Sequence, residues 1–256
     1  DVLKKALDEA GDNLSVAEKE ALINALKQTL LKKGLNYGSD ELKDLLFPEE
    51  IKKTRVNSVT SLDPNAIYGN SGYEENRYIK NSETMNYLVT FENVDTAKAP
   101  AAIVKVDLQL DPAKFDITKT LLGNVTIAGK TYLVEEDRKE YFRDIDLRPG
   151  NDVIVRVNAK ADTVTGNLHW EFISLDPQTM DVISDPDKGF LPPNVTMPQG
   201  EGSVAFTAVL KQNLVNNDTV SPYAAIYFDA NEPILTNNWK NTIDKKEPTS
   251  VINPVI

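Results

Sequence analysis

From about residue 80 onward the chain alternates apolar and other residues with a period of two, and it does so in one segment after another. Met85, Tyr87, Val89 and Phe91 alternate with Asn86, Leu88, Thr90 and Glu92. Ala102, Val104, Val106, Leu108 and Leu110 alternate with Ile103, Lys105, Asp107 and Gln109. The same rhythm runs through Val153–Ala159, Leu168–Phe172 and Val204–Leu210. A helix buries one stripe at a period of about 3.6 residues, so this pattern sits on a strand and nowhere else. Each segment has one apolar and one mostly polar face, which suits antiparallel sheets with one side on a core and the other in water. Turn signals separate the segments, among them Asp111-Pro, Ala128-Gly, Arg148-Pro-Gly-Asn, Thr165-Gly-Asn, Asp176-Pro and Pro198-Gln-Gly. Many short strands without alternating helices predict a sandwich and not a doubly wound parallel sheet.

The stretch Ala224–Asp244 reads as the close of that sandwich. Ile226 and Phe228 share one face, and the strand must stop or lie at an edge before Pro233, because proline cannot donate to a ladder. Asp229-Ala-Asn-Glu232 forms an acidic rim there, and Ile234, Leu235, Trp239 and Ile243 follow at a spacing that fits neither helix nor strand. At the other end of the chain, residues 1–50 read as a helical hairpin or linker, ahead of a β-sandwich domain over 51–256. Val2, Leu3, Ala6, Leu7 and Ala10 have helical spacing, and Ser15-Val-Ala-Glu18 is a capping box before the stripe Ala21, Leu22, Ala25, Leu26 and Leu30. The expected fold is therefore mainly β: an antiparallel sandwich of immunoglobulin-like or jelly-roll type preceded by a short α-helical segment.

Composition excludes several classes of function. The net charge of −11 argues against a nucleic-acid partner, which needs clustered Lys and Arg. There is no cysteine, so disulfides, thiolate metal sites and a cysteine nucleophile are all excluded. The single histidine, His169, rules out a three-histidine zinc site, and it falls on the polar face of its strand. No run of eighteen apolar residues is present to span a membrane. Asp1-Val-Leu-Lys-Lys lacks the apolar core of a signal peptide, so any export signal is expected to have been removed, or the chain to be cut from a larger one.

Three groups of residues could carry chemistry. Asp63, Asn65, Asp229 and Asn231 offer hard oxygens at strand ends and are the candidate calcium ligands. The same residue types also stand in turns simply because their side chains hydrogen-bond nearby backbone. Tyr68, Tyr73 and Trp239 lie in loop-like surroundings and could stack on a sugar ring, while aromatics beneath long loops also serve as packing. Asp229 and Glu232 form the most tempting pair for glycoside hydrolysis, with no separation readable from sequence. No catalytic residue follows from any of these.

Taken as a set, Ser61-Leu-Asp-Pro-Asn-Ala-Ile-Tyr-Gly, Tyr87-Leu-Val-Thr-Phe-Glu-Asn, Leu108-Gln-Leu-Asp-Pro, Asp146-Leu-Arg-Pro, Thr165-Gly-Asn-Leu-His-Trp-Glu-Phe, Gly189-Phe-Leu-Pro-Pro-Asn, Gly200-Glu-Gly-Ser-Val-Ala-Phe and Ile226-Tyr-Phe-Asp-Ala-Asn-Glu-Pro-Ile carry a resemblance. The chain resembles an uncharacterised β-sandwich domain found toward the C-terminus of large secreted or surface-anchored bacterial proteins, among adhesin-like and conserved-repeat modules. The resemblance spans roughly residues 55 to 250 and implies a setting more than a chemistry. It implies a secreted or cell-surface location, neighbouring domains of a larger polypeptide, and a cell-surface glycan or protein as partner. The expected function is a non-catalytic structural or adhesive module. The alternatives are a carbohydrate-binding accessory module of a polysaccharide-degrading enzyme and a glycoside hydrolase.

Overall fold

A computed structural model describes residues 63–135 and 137–246, which form strands and turns with no helix among them. The helical segment expected over 1–50 lies outside the described residues, as do 51–62 and 247–256 of the expected sandwich domain. The first sheet runs in the order β1 (Ala66–Tyr68), β3 (Thr84–Glu92), β10 (Glu201–Leu210), β5 (Phe115–Ile127) and β6 (Lys130–Tyr132). The second runs β13 (Ile234–Leu235), β12 (Ala224–Phe228), β4 (Ile103–Gln109), β9 (Asn167–Leu175), β8 (Ile154–Ala161) and β7 (Glu140–Asp146). Every pairing in these two sheets is antiparallel. A small third sheet joins β11 (Thr219–Val220), β14 (Asn241–Ile243) and β2 (Tyr78–Ile79), and there β14 and β2 run parallel.

The two large sheets pack face to face through the residues that alternation turned inward. Trp170 and Phe172 of β9 are fully buried. Trp170 meets Phe206 of β10 at a centroid distance of 5.9 Å, and Phe172 meets Phe91 of β3 at 5.4 Å. Val104, Val106, Val155, Val157, Val204, Val89 and Ile226 complete the layer with no exposed surface. The outward positions of the second sheet form a lattice of opposite charges between neighbouring strands. Lys105 pairs with Glu171, Lys160 with Glu140, Arg156 with Asp144, and His169 Nδ1 lies 2.6 Å from Asp107 Oδ1. Such cross-strand pairs stabilise a solvated face only modestly, by about 0.2–1 kcal/mol each.

Two long strands escape the period-two pattern. The ladder between β10 and β5 shifts register twice, once between Val204 and Phe206 and once between Thr207 and Val209. Each extra residue moves the following side chains to the opposite face, so β5 reads as no clean alternation. β7 sits at the sheet edge, and of its seven residues only Ile145 is buried. At the C-terminal end, Ile234–Leu235 and Asn241–Ile243, expected to be irregular, are strands of two and three residues. Segments that short carry no period. β12 does end at Phe228, ahead of the acidic rim, and Pro233 precedes the edge strand β13.

The ends of the sandwich differ. The small sheet lies where β3 begins and β10 ends, and it places Ile79, Val220 and Ile243 in the common core at 3%, 0% and 0% exposure. That end is closed. The opposite end carries the β3–β4, β7–β8, β9–β10 and β12–β13 connections together with the Ala128-Gly129 hairpin turn. Both turn residues are left-handed (φ 49° and 76°), as a two-residue hairpin matching strand twist requires.

Candidate functional site

Loops held on a rigid scaffold are where binding residues concentrate, and the loop-bearing end contains a groove with a mostly apolar floor. A cavity of about 470 Å³ is lined by Pro100, Leu147, Val153, Phe190 and Pro192, with Asp152, Asp187, Lys188 and Gln199 around it. Its floor is fixed from below. Phe190 is 1% exposed and stacks on Phe172 at 5.7 Å, and its amide donates to Ser174 Oγ at 2.9 Å. Asn151 Nδ2 donates to the Gly189 carbonyl at 2.9 Å and ties the β7–β8 turn to the opposite wall. A mostly apolar cleft of this size with a few polar groups at its rim is the usual form of a ligand site.

A second groove of about 320 Å³ crosses the outer face of the first sheet at the same end, lined by Asp63, Pro64, Tyr68, Thr90, Glu92 and Glu201. Glu92 and Glu201 stand directly opposite each other on β3 and β10. Asn194, 4% exposed, separates their charges: its Nδ2 donates to Glu92 Oε1 at 2.9 Å and Glu201 Oε1 at 3.0 Å. Its Oδ1 accepts from the Gly200 amide at 3.1 Å, so the side chain is fully used.

The oxygen-bearing candidates lie at this end but on different sheets. Asp63 Oδ1 accepts from the Asn65 amide at 2.9 Å, and Asn65 Oδ1 accepts from the Glu92 amide at 3.2 Å, both beside the first sheet. Asp229 closes β12 of the second sheet in a left-handed conformation (φ 53°), with Oδ1 accepting from the Ala102 and Ile103 amides at 3.0 and 2.8 Å. The Asn231 amide donates to the Phe228 carbonyl, and Glu232 is exposed beside it. Among the described residues no group of three or more His, Asp or Glu side chains converges as a metal set. The same backbone-capping use recurs at Asp176, whose carboxyl is held below its usual range by the amides of Gln178 and Thr179.

Asp229→Ala is expected to cost about 1 kcal/mol, because two amides at the start of β4 lose their acceptor while remaining partly open to water. Thermal melts in calcium and in chelator separate its two readings. An equal loss in both marks a backbone acceptor, and a loss confined to calcium marks a ligand.

The three candidate aromatics do not form one platform. The Trp239 indole donates through Nε1 to the Asn70 carbonyl at 3.1 Å, packs against Tyr68 at 5.8 Å, and is covered by the Arg77 guanidinium 4.0 Å from its centroid. A sugar stacking there would have to displace Arg77. Tyr73 stands apart, 72% exposed, bridged to Tyr78 through paired backbone bonds of 2.9 and 2.8 Å. It borders a cavity of about 440 Å³ that also takes in Glu74, Glu83 and Asp244. Arg77 and Asn194 carry no sequence signal for these roles, since their partners are 162 and 102 residues away in the clearest contacts.

A family model described as a domain of unknown function (DUF7619) matches residues 63–170 and 173–242. No curated protein matches the chain in sequence. Among solved structures, the chain is similar to the N-terminal domain of the Streptococcus gordonii adhesin Sgo0707, at 11% identity over 71% of this chain and 33% of that one, with a TM-score of 0.38. It is similar to the C-terminal domain of the Streptococcus pyogenes antigen I/II-family protein AspA, at 9% identity over 71% of this chain and 53% of that one, TM-score 0.39. It is also similar to the collagen-binding domain of a Staphylococcus aureus adhesin, at 10% identity over 72% of this chain and 99% of that one, TM-score 0.34. The chain thus spans a third of the first of these and about half of the second.

Proposed function

The chain belongs to the DUF7619 family, and from that premise we propose that it is a non-catalytic binding module of a larger bacterial surface or secreted protein. The observation that carries this reading is the asymmetry of the sandwich. One end buries Ile79, Val220 and Ile243 beneath a small sheet, while the other presents loops around a groove floored by Phe190 and Leu147. His169 is paired with Asp107, and Asp229 Oδ1 caps two backbone amides. The motif resemblance supports the adhesive setting. A carbohydrate partner is favoured by one observation of its own, the exposed Tyr73 above Glu74, Glu83 and Asp244.

Binding to immobilised matrix proteins, collagen included, and to a glycan array tests the proposal with three proteins: the wild type, Asp187→Arg with Gln199→Trp, and Tyr73→Ala. The altered residues are exposed, so the fold is expected to survive all of them. Loss of a protein ligand in the groove variant alone supports the open end as the site. Loss of a glycan in Tyr73→Ala alone moves the site to the opposite end. Absence of any ligand for the wild type overturns the binding reading.

A further inference from the structure

A sheet that is not closed into a barrel has edges, and each edge strand offers unpaired N–H and C=O groups that natural proteins usually blunt. Three of the four edges of the two large sheets are blunted. β13 has two residues and follows Pro233, and β6 has three. β1 has three, and Asn237 occupies its open side: its Oδ1 accepts from the Ile67 amide at 2.9 Å and its Nδ2 donates to the Ile67 carbonyl at 3.1 Å. The fourth edge is β7, with seven residues and only β8 paired to it; β5 reaches it just ahead of its start, where the Leu122 amide donates to the Arg138 carbonyl at 2.8 Å.

The ladder parity tells which groups of β7 are free. Ala161 N–H donates to the Lys139 carbonyl, and Leu147 N–H donates to the Val153 carbonyl, so the odd-numbered residues bond to β8. Glu140, Phe142, Asp144 and Asp146 therefore turn their backbone donors and acceptors away from the sheet. Their side chains lie on the outer face, where Phe142 is 64% exposed with the Arg156 guanidinium 5.4 Å from its ring. Glu140 pairs with Lys160, Asp144 with Arg156 and Asp146 with Arg148, the last two through both carboxylate oxygens.

We propose that the β7 edge accepts an extended polypeptide strand from a partner protein, with an uncharged residue opposite Phe142 and Lys or Arg opposite Glu140 and Asp144. Only an extended peptide repeats donors and acceptors at the spacing of a strand edge, and strand addition supplies affinity through the main chain and specificity through alternate side chains. Charge selects the partner. β7 carries three carboxylates against one guanidinium, that of Arg143. A second copy paired antiparallel about Arg143 would set Glu140 against Asp146 and Arg143 against Arg143, and one paired about Phe142 would set Glu140 against Asp144. Like charges directly opposite destabilise a pair, so the edge rejects itself and favours a basic strand.

The probe is a labelled synthetic peptide with the sequence of residues 153–162, which carries Arg156 and Lys160 in the register that already complements β7. Fluorescence anisotropy with the wild-type protein is expected to show saturable binding. Phe142→Pro removes an outward N–H and no bond to β8, so the protein stays folded while affinity falls at least tenfold. Glu140→Lys, an exposed change outside the core, lowers affinity independently of any proline strain. A peptide with both cations replaced by Glu, or with its alternate amides N-methylated, is expected not to bind. Absence of binding to the wild type overturns the proposal, as does equal binding to Phe142→Pro and Glu140→Lys, which would place the peptide elsewhere or exchange it for β8. A wild-type dimer in sedimentation that Phe142→Pro dissociates would overturn it in favour of a second copy.

Discussion

Trp170→Ala is expected to destabilise the protein by roughly 3–5 kcal/mol, a large share of the 5–15 kcal/mol that holds a typical domain. The indole has no exposed surface and fills the space between β9 and the facing β10, against Phe206. Val106 and Ala159 flank it on the neighbouring strands, and neither can swing in to fill the gap. Strand backbones on both sides are fixed by full ladders, so the cavity would collapse only partly. Trp170→Phe is expected to cost far less. No side chain or carbonyl of the described residues accepts from Trp170 Nε1, so phenylalanine removes a buried donor that has no partner along with part of the ring. Urea melts followed by far-ultraviolet circular dichroism read both variants. An unchanged midpoint for the alanine variant would mean that β9 is turned by one residue, with His169 and Glu171 inward.

Asn194→Asp should be the second severe change, and its cost should depend on pH. Asn194 is the single donor between two carboxylates that stand opposite each other, Glu92 and Glu201. The substitution adds one oxygen but removes two N–H donors, and it places a third carboxylate among the others in a buried position. Stability should fall by about 2–4 kcal/mol near neutral pH, from two lost hydrogen bonds to charged groups plus repulsion. Crowded carboxylates hold protons more tightly in the folded chain than in the unfolded one. Folding then binds protons, so the variant loses stability as pH rises and regains part of it as pH falls through the raised folded-state range. Asn194→Ala also loses the donor between Glu92 and Glu201 but adds no third charge, so its loss should recover less as pH falls. Melting temperatures between pH 4 and 8, in roughly the window where carboxylates titrate, decide it. A variant whose deficit is the same at every pH would show that the amide serves only to pack.

What was legible in the sequence is a matter of which segments bury one face along a straight run. β3, β4, β8, β9 and β10 alternate without interruption, so their inward residues could be named before any coordinate was known, Trp170 and Phe172 among them. β5 could not be read because two register shifts move its side chains between faces, and β7 because an edge strand over solvent has little to alternate. The residue types of the turns were legible too, since Asp and Asn beside Pro and Gly announce a turn wherever they stand. Their partners were not. Asp229 accepts from Ala102 and Ile103, Asn237 closes Ile67, and Asn194 parts Glu92 from Glu201, each across 100 residues or more of chain in its longest contact. Side-chain periodicity is a property of one segment and can be read there; a hydrogen bond between segments exists only after the sheets have set which strand ends meet. The sequence alone therefore determined that this chain is a two-faced sandwich with a Trp-centred core. The tertiary structure alone decided which end is open, which edge is free, and which of its carboxylates are already occupied.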